Sequence, residues 1–135
     1  MKRQNFSKKR EAIFQSICST DIHPTAEWVY NDLKPRYPDL SLGTVYRNIA
    51  LFKEQGMIVS VGTVAGQERI DGNTKPHAHF ICTGCGAVID IHEMKDDKSL
   101  DYSVTDAYGF KVEYHSLCFY GKCTACQKKD GEKNV

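Results

Sequence analysis

Four cysteines stand in two pairs, Cys82-x-x-Cys85 and Cys123-x-x-Cys126. Thiolates three positions apart can grip one soft metal ion, and two such pairs complete a tetrahedron. The spacing therefore predicts a structural Zn2+ site in the C-terminal half. The segment between the pairs exceeds a zinc-ribbon gap, so it must form a small fold that the metal closes. The competing chemistry is thiol–disulfide exchange at two CxxC motifs, which needs exposed thiols of depressed pKa. Cys18 and Cys118 fall on apolar faces and read as small buried hydrophobes.

A second constellation is looser. His77 and His79 lie two apart on an extended segment and project to one side. Asp90, on the strand after the first cysteine pair, can face them. Two nitrogens and an oxygen suit Fe2+, Mn2+ or Zn2+. Asp71 begins a cluster of breakers, Asp71-Gly72-Asn73-Thr74-Lys75-Pro76, the best hinge in the chain. His23 sits far upstream before Pro24, and spacing alone gives no reason to join it to the others.

These residues need elements to position them. Ser7 is a cap for a first helix with Ile13, Phe14, Ile17 and Cys18 as its apolar positions. Thr25 caps a second helix carrying Val29 and Leu33 and ended before Pro35. Ser41 caps a third, with Leu42, Val45, Ile49 and Phe52 on one face and Gly43, Arg47, Ala50 and Glu54 on the other. Gly56 stops it. Strand-like runs at 57–61 and 67–71 flank a turn containing Gly66. Three helices and a hairpin form a winged helix-turn-helix, whose third helix would enter the DNA major groove. Beyond the hinge, 79–82 and 87–91 read as strands and 95–108 as a helix stopped by Gly109. Residues 110–120 read as a long alternating strand, and the chain from Gln127 as a polar tail. The expected class is α+β: a winged-helix domain at 1–73 and a small α/β domain at 74–135.

The bulk numbers agree with a soluble globular chain. Of 135 residues, 41% are hydrophobic and 26% charged, too apolar for a disordered segment. Net charge is only +1. Residues 1–73 carry ten basic against eight acidic side chains, and 74–135 eight against nine. Lys2, Arg3, Lys8, Lys9 and Arg10 form a basic arm that could lie along phosphates, or simply be a solvated terminus. No apolar run follows the basic start, and none approaches a membrane span. Six cysteines without an export signal point to metal binding in a reducing cytoplasm.

The residues occur in a particular order: His23-Pro24-Thr25-Ala26, Ser41-x-Gly43-Thr44-Val45-Tyr46-Arg47, Arg69-x-Asp71, His77-x-His79-x-x-Cys82-x-x-Cys85-Gly86, Val88-x-Asp90 and Tyr120-Gly121-x-Cys123-x-x-Cys126. This order resembles the ferric uptake regulator (Fur) family of metal-dependent bacterial repressors, over nearly the whole chain. The resemblance implies a homodimer on double-stranded palindromic operator DNA, no membrane, a C-terminal dimerisation domain and a four-cysteine zinc. It also implies a regulatory Fe2+ or Mn2+ site drawing on His23, Asp71, His77, His79 and Asp90. Aspartate at both acidic positions is most like the peroxide-sensing branch, PerR; iron sensors tend to carry glutamate there. A second site of many iron and zinc sensors looks dismantled, with Pro76 and Ala78 at its positions and His115 its remnant. His92 reads as a surface residue. Arg47 departs from the polar residue frequent in the peroxide branch, and only six residues precede Ser7, so an N-terminal helix is expected to be missing or shortened.

If the third helix enters the groove, Thr44, Tyr46 and Arg47 are the readers: the Tyr46 ring for a thymine methyl, the Arg47 fork for guanine or phosphate. Tyr46 packing against the wing is the alternative. Lys8, Lys9 and Arg10 would serve phosphates. The resemblance further implies that an Fe2+-generated oxidant attacks His23 or His77 and releases DNA. An iron- or zinc-responsive repressor is the rival within the class. A thiol oxidoreductase or a metal hydrolase is the rival outside it, though zinc would occupy the thiolates and five ligands would crowd out a substrate.

Overall fold

The computed structural model describes residues 2–94 and 97–133, with side chains at 8–94 and 97–131. It divides into two compact units, Met1–Thr74 and Lys75–Val135.

The first unit runs α1 (Lys2–Cys18), α2 (Ala26–Leu33), α3 (Leu42–Glu54), β1 (Val59–Val64) and β2 (Gln67–Asp71). Ser7 lies inside α1 rather than at its start, so the basic arm is helical. The other two caps form as predicted: Thr25 Oγ1 accepts from the Trp28 amide at 3.0 Å, and Ser41 Oγ from that of Thr44 at 3.1 Å. Ile13, Ile17, Val29, Leu33, Val45, Ile49 and Phe52 make one core with Ile58 and Ile70 of the hairpin region. The polar links across it are satisfied. Ser16 Oγ donates to Asp32 at 2.8 Å, and buried Asn48 accepts from Arg10 Nε at 3.0 Å. The hairpin begins at Val59, two residues later than predicted, and turns on Ala65-Gly66, both at positive φ (53° and 80°). That pair of angles matches the right-handed twist of a two-residue hairpin.

The second unit runs β3 (Ala78–Cys82), β4 (Val88–Ile91), α4 (Ser99–Tyr108), β5 (Cys118–Gly121) and α5 (Thr124–Lys133). Its sheet order is β4-β3-β5, with β3 antiparallel to β4 and parallel to β5. Gly109 ends α4 in the left-handed region (φ 73°), as its position predicted. Two expectations fail here. Residues 110–117 are not strand: within that run, ladder pairing among the described residues begins at Cys118, the start of β5. The polar tail is instead helical through Lys133. Of the helix expected over 95–108, Lys95 and Asp96 fall outside the described residues. No helix among the described residues is long and apolar enough to cross a membrane.

Candidate metal centres

The cysteine pairs meet. Cys82, Cys85, Cys123 and Cys126 offer sulfurs all within 4.8 Å of one another. Cys82 and Cys126 stand 3.6 Å apart, and Cys85 and Cys123 3.9 Å. Four sulfurs held tetrahedrally about 2.3 Å from one zinc would stand about 3.8 Å apart. A disulfide needs about 2.05 Å, so none is formed.

Local structure explains the convergence. The 82–85 knuckle closes through the Gly86 amide on the Cys82 carbonyl at 2.9 Å. Gly84 lets the backbone approach, since a Cβ there would stand 2.9 Å from Cys126 Sγ. Cys126 sits on the first turn of α5, and Thr83 ties the knuckle to the end of β5 through the Gly121 carbonyl at 2.6 Å. Three amides, of Cys123, Cys85 and Gly84, donate to Cys82 Sγ at 3.3–3.4 Å. Those bonds hold the Cys82 thiol down to about 6. The same crowding pushes Cys126 up to about 12, through its contacts with Cys82 and Cys123. Clustered thiols resist ionising together, and a divalent cation removes that conflict. The residues fit zinc.

Cys18 and Cys118 were expected to be buried. Cys18 is exposed at the end of α1 and Cys118 is half-buried at the start of β5. The last turn of α1 reaches beyond its packed face, and Cys18 Sγ lies against Gly72, 2.8 Å from where a Cβ would sit. Partial burial, with Asp71 nearby, raises its thiol.

The histidine–aspartate residues form a half-site in each unit. In the first, His23 is buried at 2% exposure and its Nε2 stands 3.3 Å from Asp71 Oδ2. In the second, the β3–β4 register places His79 opposite Asp90. His77 Nε2 and His79 Nε2 approach the same oxygen, Asp90 Oδ1, at 2.8 and 3.3 Å. His77 Nδ1 lies 2.7 Å from the Lys75 carbonyl. A carbonyl only accepts, so Nδ1 carries the hydrogen and Nε2 of the neutral ring presents a lone pair. Lone pair and carboxylate then face each other, and only a proton or a cation between them is stable. A metal ligand oriented by a backbone carbonyl on its other nitrogen is the usual arrangement.

His92 is exposed, as its sequence position led one to expect. Its ring stacks on that of His77 at 5.2 Å, and its Nε2 lies 3.7 Å from Asp90 Oδ2. His115 Nδ1 pairs with Asp101 Oδ1 at 2.6 Å.

On α3, Arg47 Nη2 donates to Thr44 Oγ1 at 3.0 Å, and Tyr46 is 53% exposed. Tyr46 also lines a shallow cleft with Thr25, Gln67 and Ile70. Lys9 Nζ pairs with Asp39 at 2.7 Å, and Arg10 with Asn48, so two of the three residues expected to serve phosphates also bind within the unit. Lys8 is exposed.

Comparison with known proteins shows the family. Residues 3–120 match the ferric uptake regulator family. The peroxide-responsive repressor PerR of Staphylococcus epidermidis is 34% identical over 123 residues, covering 90% of this chain and 80% of the relative. The peroxide operon regulator of Bacillus subtilis is 34% identical over 122 residues, covering 90% and 83%. The crystal structure of the Campylobacter jejuni peroxide stress regulator superposes with a TM-score of 0.73 at 28% identity, covering 91% and 92% of the two chains. The chain belongs to the ferric uptake regulator family.

Proposed function

We propose that the chain is a metal-dependent, dimeric transcriptional repressor that senses peroxide. The observation that carries this is the pair of His–Asp half-sites, each aiming imidazole nitrogen at carboxylate. A single Fe2+ or Mn2+ held by His23, Asp71, His77, His79 and Asp90 would join residues on both sides of the 72–76 segment and select one angle between the domains at 1–73 and 74–135. In a dimer that angle sets the spacing of the two α3 helices on successive half-sites. Metal and DNA affinity are then coupled, by about 1–3 kcal/mol and reciprocally. Zn2+ at the four cysteines holds the strands that carry His79 and Asp90.

When bound, Fe2+ supplies the redox chemistry that activates hydrogen peroxide. One peroxide oxygen joins a ring carbon of His23 or His77, and the other leaves as water. The altered ring binds metal poorly, the angle is lost and DNA dissociates. Relatives named as peroxide-responsive repressors support this over an enzyme. A second copy would cover the aromatic side chains of the C-terminal unit, where Tyr102, Tyr108, Phe110 and Tyr114 are 60–82% exposed.

DNA binding measured with Fe2+, Mn2+ or Zn2+, with and without peroxide, tests the reading. Release confined to the Fe2+ form supports it. Release by none of the three forms identifies an iron- or zinc-responsive repressor instead.

A further inference from the structure

We propose that Arg69 is the positioning residue of the His23 half-site, fixing the backbone of His23 so that its ring meets Asp71. The inference rests on the reading of His23 as a regulatory ligand. His23 has φ 58°, in the left-handed region. Residues other than glycine visit that region rarely, and a residue before proline is steered towards extended backbone. Such an outlier persists only where its surroundings over-determine it, and functional sites are where such outliers gather.

The surroundings are on β2. Arg69 Nε donates to the His23 carbonyl at 2.5 Å, and Arg69 Nη2 to the Ile22 carbonyl at 2.5 Å. The Ile70 amide donates to the Pro24 carbonyl at 3.0 Å. Three successive carbonyls, 22 to 24, are thus gripped by two adjacent residues of one strand. Asp71 lies two residues after Arg69, on the same strand face, and meets the His23 ring at 3.3 Å. Its other oxygen accepts from the Asn73 amide at 2.8 Å, which fixes the carboxylate in turn. One strand therefore holds both ends of His23, Arg69 the carbonyl and Asp71 the imidazole. The planar guanidinium fork presents two separate N–H groups, one to each carbonyl, and holds them in a fixed geometry.

A plain structural tie between the α1–α2 loop and the hairpin would use the same bonds, so the test needs a readout specific to His23. Arg69→Met, Arg69→Gln and His23→Ala are compared with the unaltered full-length protein. Mn2+ affinity is measured by competition with a chromophoric chelator. After Fe2+ and peroxide, mass spectrometry gives the ratio of oxygen added at His23 to that at His77. Zinc content and cooperative unfolding report the fold.

Arg69→Met and Arg69→Gln are expected to keep zinc and fold while losing about 10–100-fold in Mn2+ affinity, the usual effect of removing a ligand's supporting group. The His23-to-His77 ratio should fall several-fold. Unaltered affinity and ratio in a folded variant overturn the proposal. So does loss of cooperative unfolding in both variants, which makes Arg69 a residue of the fold. Two other results strike the underlying reading instead: His23→Ala binding Mn2+ like the unaltered protein, or no oxygen at either histidine. In the second case the Mn2+ arm still decides Arg69.

Discussion

His77 shows how the backbone settles the chemistry of a side chain. Its Nδ1–H is taken by the Lys75 carbonyl, which leaves Nε2 aimed at Asp90. Asp90 is shared by His77 and His79, so removing its charge should disable both. Asp90→Asn is expected to weaken Mn2+ binding at least ~10-fold while zinc stays bound, measured by competition titration and metal analysis. On α3, Arg47 donates to Thr44. Arg47→Ala should weaken operator binding in a mobility-shift assay while Mn2+ affinity and the dimer are unchanged; undiminished DNA affinity would remove Arg47 from the interface. The zinc cysteines, His77, His79 and Asp90 were legible because short spacings and period-two alternation already place their side chains together. His23 was not. It is held by contacts with residues more than forty positions away, and local spacing carries no trace of them. Only the family resemblance pointed to it. His92 is at the surface as read, and its stacking on the His77 ring is a tertiary contact that spacing does not show.

The elements differ in how much local sequence decides them. Helices α2 and α3 carry both a capping hydroxyl and a 3.6-residue apolar face, so their starts were legible at residue precision. Thr25→Ala should destabilise the first unit by about 1 kcal/mol in denaturant unfolding, since the Trp28 amide loses its acceptor. Helix α5 has neither signal. Its sequence, TACQKKDGEK, is polar throughout, and its first turn carries Cys126 into the sulfur cluster. Alternation over 110–120 misled for the opposite reason: it describes a strand's faces but cannot supply a partner for its ladder. Among the described residues of the second unit few apolar side chains are buried, chiefly Ala78, Ile81 and Val88, so a metal at the cysteines would supplement a small core. Chelating the zinc should abolish amide-exchange protection in β3, β4 and β5 while α1–α3 keep theirs. Equal protection before and after chelation would show that the cysteines are not structural.

Across the whole molecule, the two halves have different sources of stability. The first is a conventional apolar core around Phe52 and Ile49, and the second a sulfur cluster with a small sheet. Separate sources of stability are what the proposed switch at 72–76 requires. The half-sites stand on either side of that segment in the sequence, so under the proposed function an ion bound to both would act on the angle and not on either fold. The most direct test is mass spectrometry of the Fe2+-loaded, DNA-bound protein after peroxide, read together with DNA release. The expected result is one added oxygen on a peptide holding His23 or His77, in step with release, and neither change in the Mn2+ form. Release with oxidation confined to the cysteines, or oxidised histidine on protein still bound to DNA, would contradict it.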